Sequence, residues 1–410
     1  MSKVLLISLV MLGAGVAAHA GTGDLTYVDA DPQEAMKGAP ASYLVAMDKE
    51  VAKADADAGT VSKDAVVATF STGLKVAIDS AKAEDKQFSV ARFDFTGKGK
   101  FGDDCVVPLK TNTNLDAPKG VFYCTIGPAK LKVKQGERTV PAIVYGQYAG
   151  KDDQQRVFLI LCAAAEGQCA FGDKTYKVRV ADGNGNLKLN DPAAPSFSRY
   201  NRDGVSGDRV MIYAGEGAAN PAAAKVAYPG GRVQVDGAWY EIAVTEDLKI
   251  AAKAVKVETG SIKIDHPSWT AKLVGRKQVI DVSGGAEPVA VPADTYVIAQ
   301  YEELVQGAAE ARTLFSSGIR GADEKQVKPF EVAAGKTVEV AAGSPLTVSL
   351  GVEQAVKQEA RSADLSLQVV DTAGCMVNSL LVKSNTPPAP KFEVLDSAGK
   401  RVYAGDMVWG

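Results

Sequence analysis

Six oxygen-bearing side chains form the best ligand set in this 410-residue chain. Asp182, Asn184 and Asn186 alternate along the run Asp-Gly-Asn-Gly-Asn, and Asp191, Asp203 and Asp208 follow close behind. A calcium loop asks for oxygen ligands at positions one, three and five, a turn glycine at six and a bidentate acid at twelve. Here Leu187 takes the sixth position and Ala193 the twelfth. The shell is therefore poor in carboxylate, and the same residue types make Asx-turns with no metal. The expectation is a weak calcium site, closed by an acid from the following segment, or a plain turn. An earlier run fits less well, because Asp94 and Thr96 are followed by a cation, Lys98, and Cys105 stands twelfth. It reads as a turn.

Other chemistries find few residues to work with. Of the two histidines, His19 falls in the leader described below, so His266, between Asp265 and Pro267, is alone in the remaining chain. One histidine builds no multi-histidine metal site, and no Gly-x-Ser-x-Gly elbow supplies a nucleophile. The five cysteines (105, 124, 162, 169 and 375) lack the short spacing of a zinc site. Cys162 with Cys169 across a turn, and Cys105 with Cys124 across adjacent strands, are candidate bridges; buried thiols are the alternative. Gly97, Gly99 and Gly102 have dinucleotide-loop spacing but lead into a strand, not a helix. Paired-carboxylate hydrolysis survives, since it needs only two acids and the chain has 49 Asp and Glu, but no pair is singled out. Trp239, Trp269 and Trp409 lie singly rather than as a sugar-stacking set.

The elements that must position these residues are mostly strands. Runs such as Lys174 to Val180 and Arg232 to Val235 alternate with period two, punctuated by Gly and Asp-Gly. Only Tyr43 to Ala58 and Glu302 to Thr313 read as helical, from their Ala, Lys and Glu content. The predicted fold class is mainly β, with tandem antiparallel β-sandwich modules, an internal duplication and a minor helix near the N-terminus. Met1 to Ala20 reads as a signal peptide, with Lys3, an apolar run from Val4 to Ala18 and a small-x-small site at Ala18-His19-Ala20. No other stretch is long and apolar enough to span a bilayer as a helix. Export to the periplasm, cell surface or medium is expected. Without Lys3 the charge is 45 − 49 = −4, from 46 basic and 49 acidic residues in the whole chain, which argues against a nucleic-acid partner.

The segment from Asp85 to Asp103 recurs 88 positions later, from Asp173 to Asp191. The pairs at 85, 86, 90, 94, 97, 100 and 103 are identities. Beyond the loop the offset grows, with Val106 facing Val210, so the second copy carries an insertion at about 192–207, rich in Pro, Ser, Asn and Gly and expected on the surface. The expected division is a leader at 1–20, a partly helical segment at 21–65, repeat modules at 66–150 and 151–258, a sandwich at 259–343 and a last module at 344–410.

Val291 to Ile298 resembles the Pro-Ala-Gly-x-Tyr signature of carboxypeptidase-regulatory-like and prealbumin-like sandwiches, with Asp294 in place of the Gly. The resemblance implies a turn that delivers Tyr296 into a sandwich core. Phe330 to Val338 is similar to a hairpin of such modules, and 344–410 to an immunoglobulin-like module that stops short. Over its whole length the chain resembles uncharacterised exported bacterial proteins that string β-modules together with Asp/Asn/Gly loops. That resemblance implies export and fold and no activity. The functional expectation is an exported non-enzymatic binding or structural protein with an extracellular or cell-envelope ligand, its loops with or without calcium. The alternative is a secreted, glycosidase-like hydrolase with paired carboxylates.

Overall fold

The computed structural model describes residues 20–28, 45–50, 52–53, 61–62, 64–70, 73–81, 88–101, 105–111, 122–135, 137–151, 154–198, 201, 203–213, 224–306, 312–357, 360–381 and 388–407. The fold is all-β, and no helix occurs among the described residues. Alternation explains why. In Lys174–Ala181, Tyr176, Val178 and Val180 point into a core while Thr175 and Lys177 face solvent.

One sheet runs in the order Val45–Glu50, Gln154–Cys162, Arg138–Lys151, Phe122–Gln135, Val106–Thr111, Val90–Asp94, Lys75–Asp79, Val66–Thr69 and Ala52–Lys53. The two ends of that path are consecutive in the chain, so the sheet curls round into a barrel. Ile78, Phe93, Ile126, Val144 and Leu159 fill it.

A second sheet runs Lys225–Ala227, Arg209–Tyr213, Lys174–Ala181, Ala164–Phe171, Ala20–Tyr27, Lys249–Val255, Ala238–Val244 and Arg232–Val235. Its ends are also neighbours in the chain, and Lys225 Nζ donates to Gln234 O at 2.8 Å across them. Val178, Val180, Ile212, Ile242 and Ile250 fill this second barrel. Its strand Ala20–Tyr27 precedes the whole first barrel, which is therefore inserted between two paired strands of the second.

The duplication is visible in the registers. Arg92 pairs with Val106 in the first barrel, and Val180 pairs with Val210 in the second, at offsets of 88 and 104. The inserted residues leave the sheet between those two strands. Gln154–Cys162, assigned to the second repeat module on sequence, pairs with Arg138–Lys151 in the first barrel.

The C-terminal part is a sandwich. Val289–Pro292, Thr259–Lys263 and Thr337–Glu339 make one sheet. The other runs Val279–Gly284, Trp269–Gly275, Asp294–Gln306, Arg312–Gly318, Met376–Leu381, Ala360–Val370 and Thr347–Lys357. Tyr296 is fully buried between them; its hydroxyl donates to Pro292 O at 2.9 Å and accepts from Gln278 Nε2 at 2.7 Å. Phe330–Val332 pairs with Asp294–Gln306, whereas Thr337–Glu339 pairs with Thr259–Lys263. The phrase expected to be a hairpin thus crosses from one sheet to the other. The stretch read as an immunoglobulin-like module contributes three strands to the larger sheet, tied in where Ser317 Oγ donates to Asp371 Oδ2 at 2.7 Å.

Both helical expectations give way to strands where the residues are described. Val45–Glu50 pairs with Gln154–Cys162, and 43–44, 51 and 54–58 lie outside the described residues. Asp294–Gln306 and Arg312–Gly318 pair antiparallel, with Glu302 opposite Ser316, and 307–311 lie outside. Helix propensity is a weak preference that sheet closure and cross-strand pairing override. The cysteine expectation resolves too: Cys105, Cys124, Cys169 and Cys375 are not disulfide-bonded. Cys162 ends a strand of the first barrel and Cys169 lies in the second, with Ala163 at the corner between the two strands, so no hairpin brings them together.

Candidate functional site

The two Asp loops are built alike. Asp94 ends its strand, and its Oδ1 accepts from Thr96 N at 2.8 Å and Thr96 Oγ1 at 2.6 Å, while Oδ2 accepts from Gly99 N at 2.6 Å. Eighty-eight residues on, Asp182 Oδ1 accepts from Asn184 N at 3.1 Å and Gly185 N at 2.7 Å, and Oδ2 from Leu187 N at 2.7 Å. In both loops the carboxylate gathers the amides two and five residues on, which satisfies turn N–H groups that no ladder reaches. Gly99 has φ +77° and its counterpart Leu187 has φ 62°. The leucine holds the left-handed conformation at a steric cost, and its side chain is completely buried in the first barrel's core. Gln135 Nε2 from the first barrel donates to Asn186 O at 3.3 Å. The loop of the second barrel is the plug of the first.

Of the predicted ligands, Asp182, Asn184, Asn186, Asp191 and Asp208 come together in one network. Asp208 Oδ1 accepts from Gly183 N at 2.9 Å and its Oδ2 from Asp191 N at 2.7 Å. Asp191 Oδ2 accepts from Asn184 Nδ2 at 2.9 Å and Asn186 Nδ2 at 2.6 Å. The Asn184 and Asn186 carbonyl oxygens accept from Asn186 N at 3.2 Å and Lys188 N at 2.8 Å. Asp203 pairs with Arg209 instead, at 2.7 Å. Each carboxylate or amide oxygen named here faces an N–H donor, so a cation would have to displace those donors before it could bind. Among the described residues no group of three or more His, Cys, Asp or Glu is placed to hold a metal ion.

Asp182 is 1% exposed and Asp208 0%. Burial pushes the Asp182 carboxyl up to about 6 against the pull of its N–H donors. Burial, and then the Asp182 charge, pushes Asp208 up to about 8. These are carboxyls sealed under loop backbone.

The insertion lies partly at the surface as expected, with Pro192, Ala194, Pro195 and Ser198 exposed, and its other side packs on the C-terminal sandwich. Val205 is 2% exposed in the sandwich core, with Phe197 and Ala193 against it, and Gly321 N donates to Phe197 O at 2.8 Å. Its Pro and Gly content signalled a loop; nothing local signalled the partner.

One open cleft lies on the polar face of the larger sandwich sheet, about 380 Å³, lined among others by Lys272, Asp281, Gln300, Glu302, Ser316 and Asn378. Lys272 Nζ lies 2.7 Å from Asp281 Oδ1. Nothing in the sequence singles these residues out as a site. Tyr301 also lines the cleft, yet it is 1% exposed, and its hydroxyl donates to Glu303 Oε2 at 2.9 Å. His266 Nδ1 sits 2.9 Å from Ser268 O and Nε2 3.5 Å from Glu303 Oε2, contacts that fix a strand corner.

No family model, no curated protein and no solved structure matches this chain.

Proposed function

We propose that the chain is an exported, non-enzymatic structural or binding protein. The observation that carries this reading is where the perturbed acids lie: Asp182 and Asp208, raised to about 6 and about 8, are buried beneath the amides of the loop whose Leu187 packs into the first barrel. A carboxylate-pair hydrolase needs its raised acid beside a substrate. The open cleft instead presents Asp281 in an ion pair with Lys272, beside the amides of Gln300 and Asn378. That surface favours a polar ligand held by hydrogen bonds. The loops act as joints, with calcium an optional occupant that the donor-filled geometry disfavours.

The test is hydrolysis of a panel of chromogenic glycosides and soluble polysaccharides by the purified chain, with Asp182→Asn and Asp281→Asn alongside. Turnover indistinguishable from buffer in all three proteins is expected. Saturable turnover that one of these substitutions removes would overturn the reading.

A further inference from the structure

The floor of the open cleft is an array of side chains set by strand register. Thr270 lies opposite Ser283 on one side and Glu302 on the other, and Glu302 lies opposite Ser316. Residues directly opposite in antiparallel strands share a face, so these make one polar row across neighbouring strands. Strands stand about 4.8 Å apart, so the row spans about 14 Å. Two residues along, Lys272 lies opposite Asp281 and Gln300 and starts a second row. Next to it the register shifts: Ser316 pairs with Ser379 but Ser317 with Val377, which leaves Asn378 as the extra residue of a bulge. Asn378 is exposed and reaches over Gly318, where an added Cβ would lie 3.3 Å from its Nδ2.

The chemistry of this array narrows what can lie on it. The hydroxyls of Thr270, Ser283 and Ser316 and the amides of Gln300 and Asn378 both donate and accept, and Glu302 adds an exposed carboxylate that only accepts. Lys272 is already held by Asp281 at 2.7 Å, and the charged lining residues sum to 1 − 2 = −1, which disfavours an anionic ligand. A divalent cation fares no better: Asp281 and Glu302 stand two strands apart, and no third acid joins them among the described residues. The aromatic of the lining, Tyr301, is 1% exposed, so the cleft has neither a stacking platform nor a deep apolar hole for a peptide side chain.

We infer that the cleft takes a short run of a neutral polysaccharide chain, laid across the strands along the row from Ser283 to Ser316. Each sugar hydroxyl both donates and accepts, as the row's own groups do, and a repeating ligand meets a repeating array. The two oxygens of Glu302 can accept from a pair of adjacent sugar hydroxyls, with the Gln300 and Asn378 amides closing the second side. Such contacts exchange for hydrogen bonds to water, and no ring stacks on the ligand, so the affinity is weak, in the millimolar range. The inference rests on the polar-ligand reading of the cleft and gives that ligand its class.

Affinity electrophoresis of the purified full chain tests it, in native gels cast with dextran, glucomannan, mixed-linkage β-glucan or galactan and, in parallel, with polygalacturonate. At least one neutral polysaccharide should slow the protein in proportion to its concentration, and polygalacturonate should not. Glu302→Ala and Asn378→Ala should each weaken that retardation roughly tenfold, while Glu324→Ala, an exposed acid outside the cleft, should leave it unchanged. Glu302 and Asn378 are exposed, so their melting temperatures should match the wild type; Thr270→Ala is the replacement if one does not. No retardation by any of the four neutral polysaccharides would overturn the inference. So would retardation that both cleft variants keep, or retardation by polygalacturonate alone. Those failures would leave the non-enzymatic reading standing, whereas release of reducing sugar from a bound polysaccharide would overturn that reading and keep the ligand class.

Discussion

Leu187 belongs to the loop of one barrel and to the core of another, and its backbone and side chain pull in opposite directions. Its φ of 62° costs about 1 kcal/mol relative to a glycine there, while its side chain is 0% exposed. Leu187→Ala keeps the backbone cost and loses the burial, for about 3 kcal/mol within the range of buried leucine truncations. Leu187→Gly loses the same burial but relieves about 1 kcal/mol of strain, offset by about 0.5 to 1 kcal/mol of extra freedom in the unfolded chain. At an ordinary position glycine is about 1 kcal/mol worse than alanine; here the two variants should be nearly equal. For a unit of this size 3 kcal/mol lowers the midpoint by about 6 to 12 °C. Scanning calorimetry and urea titration of wild type and both variants read this directly. An alanine variant melting within about 2 °C of wild type would refute the plug. A glycine variant worse than alanine by about 1 kcal/mol would refute the strain.

The other predictions concern the same joint. In Gly183→Ala the new Cβ would lie 1.9 Å from Gly207 O, whereas in Gly99→Ala it meets only Lys75 Nζ at 3.7 Å. The first should cost several kcal/mol and the second about 1 kcal/mol, and equal losses in denaturant titration would contradict the loop packing. Asp182 and Asp208 have folded pKa values of about 6 and about 8, above the unfolded value of about 3.9, so the folded chain holds their protons more tightly. Their contribution is fully present below the unfolded value and is lost as pH rises through 6 and then 8. The midpoint should therefore fall between about pH 5 and about pH 9, Asp208→Asn should flatten that slope, and a wild-type midpoint that rises over the window would reverse the sign. Calcium at about 5 mM should leave the melting midpoint where chelator puts it, because the loop oxygens already face N–H donors; a shift of several degrees that Asp182→Ala removes would restore the metal site.

The strand content was readable because alternation is a direct consequence of the pleat, and the repeat because its identities fall at the residues that shape the loop. Asp94 and Asp182 do the same structural work, as their shared spacing implied. Burial of Tyr296 follows the expectation drawn from the resemblance around Val291 to Ile298. The helical reading of Tyr43 to Ala58 rested on composition, which carries no knowledge of the strand Gln154–Cys162 that recruits Val45–Glu50. Leu187 mismatches a calcium loop at its sixth position, and the first-barrel core that its side chain enters is distant in the chain and leaves no mark on the local motif. The docking of Phe197 and Val205 was invisible for the same reason: non-local packing leaves no local signature.

The insertion of one barrel inside another fixes an order of events during synthesis. Ala20–Tyr27 is made first, yet the neighbours it pairs with, Ala164–Phe171 and Lys249–Val255, come only after the entire first barrel. The first barrel can close while the N-terminal strand waits, but the second stays open until Lys249–Val255, the last of its strands, has emerged. A tag, clip or protease that captures the N-terminal strand during that interval leaves the first barrel whole and the second without the piece that shuts it.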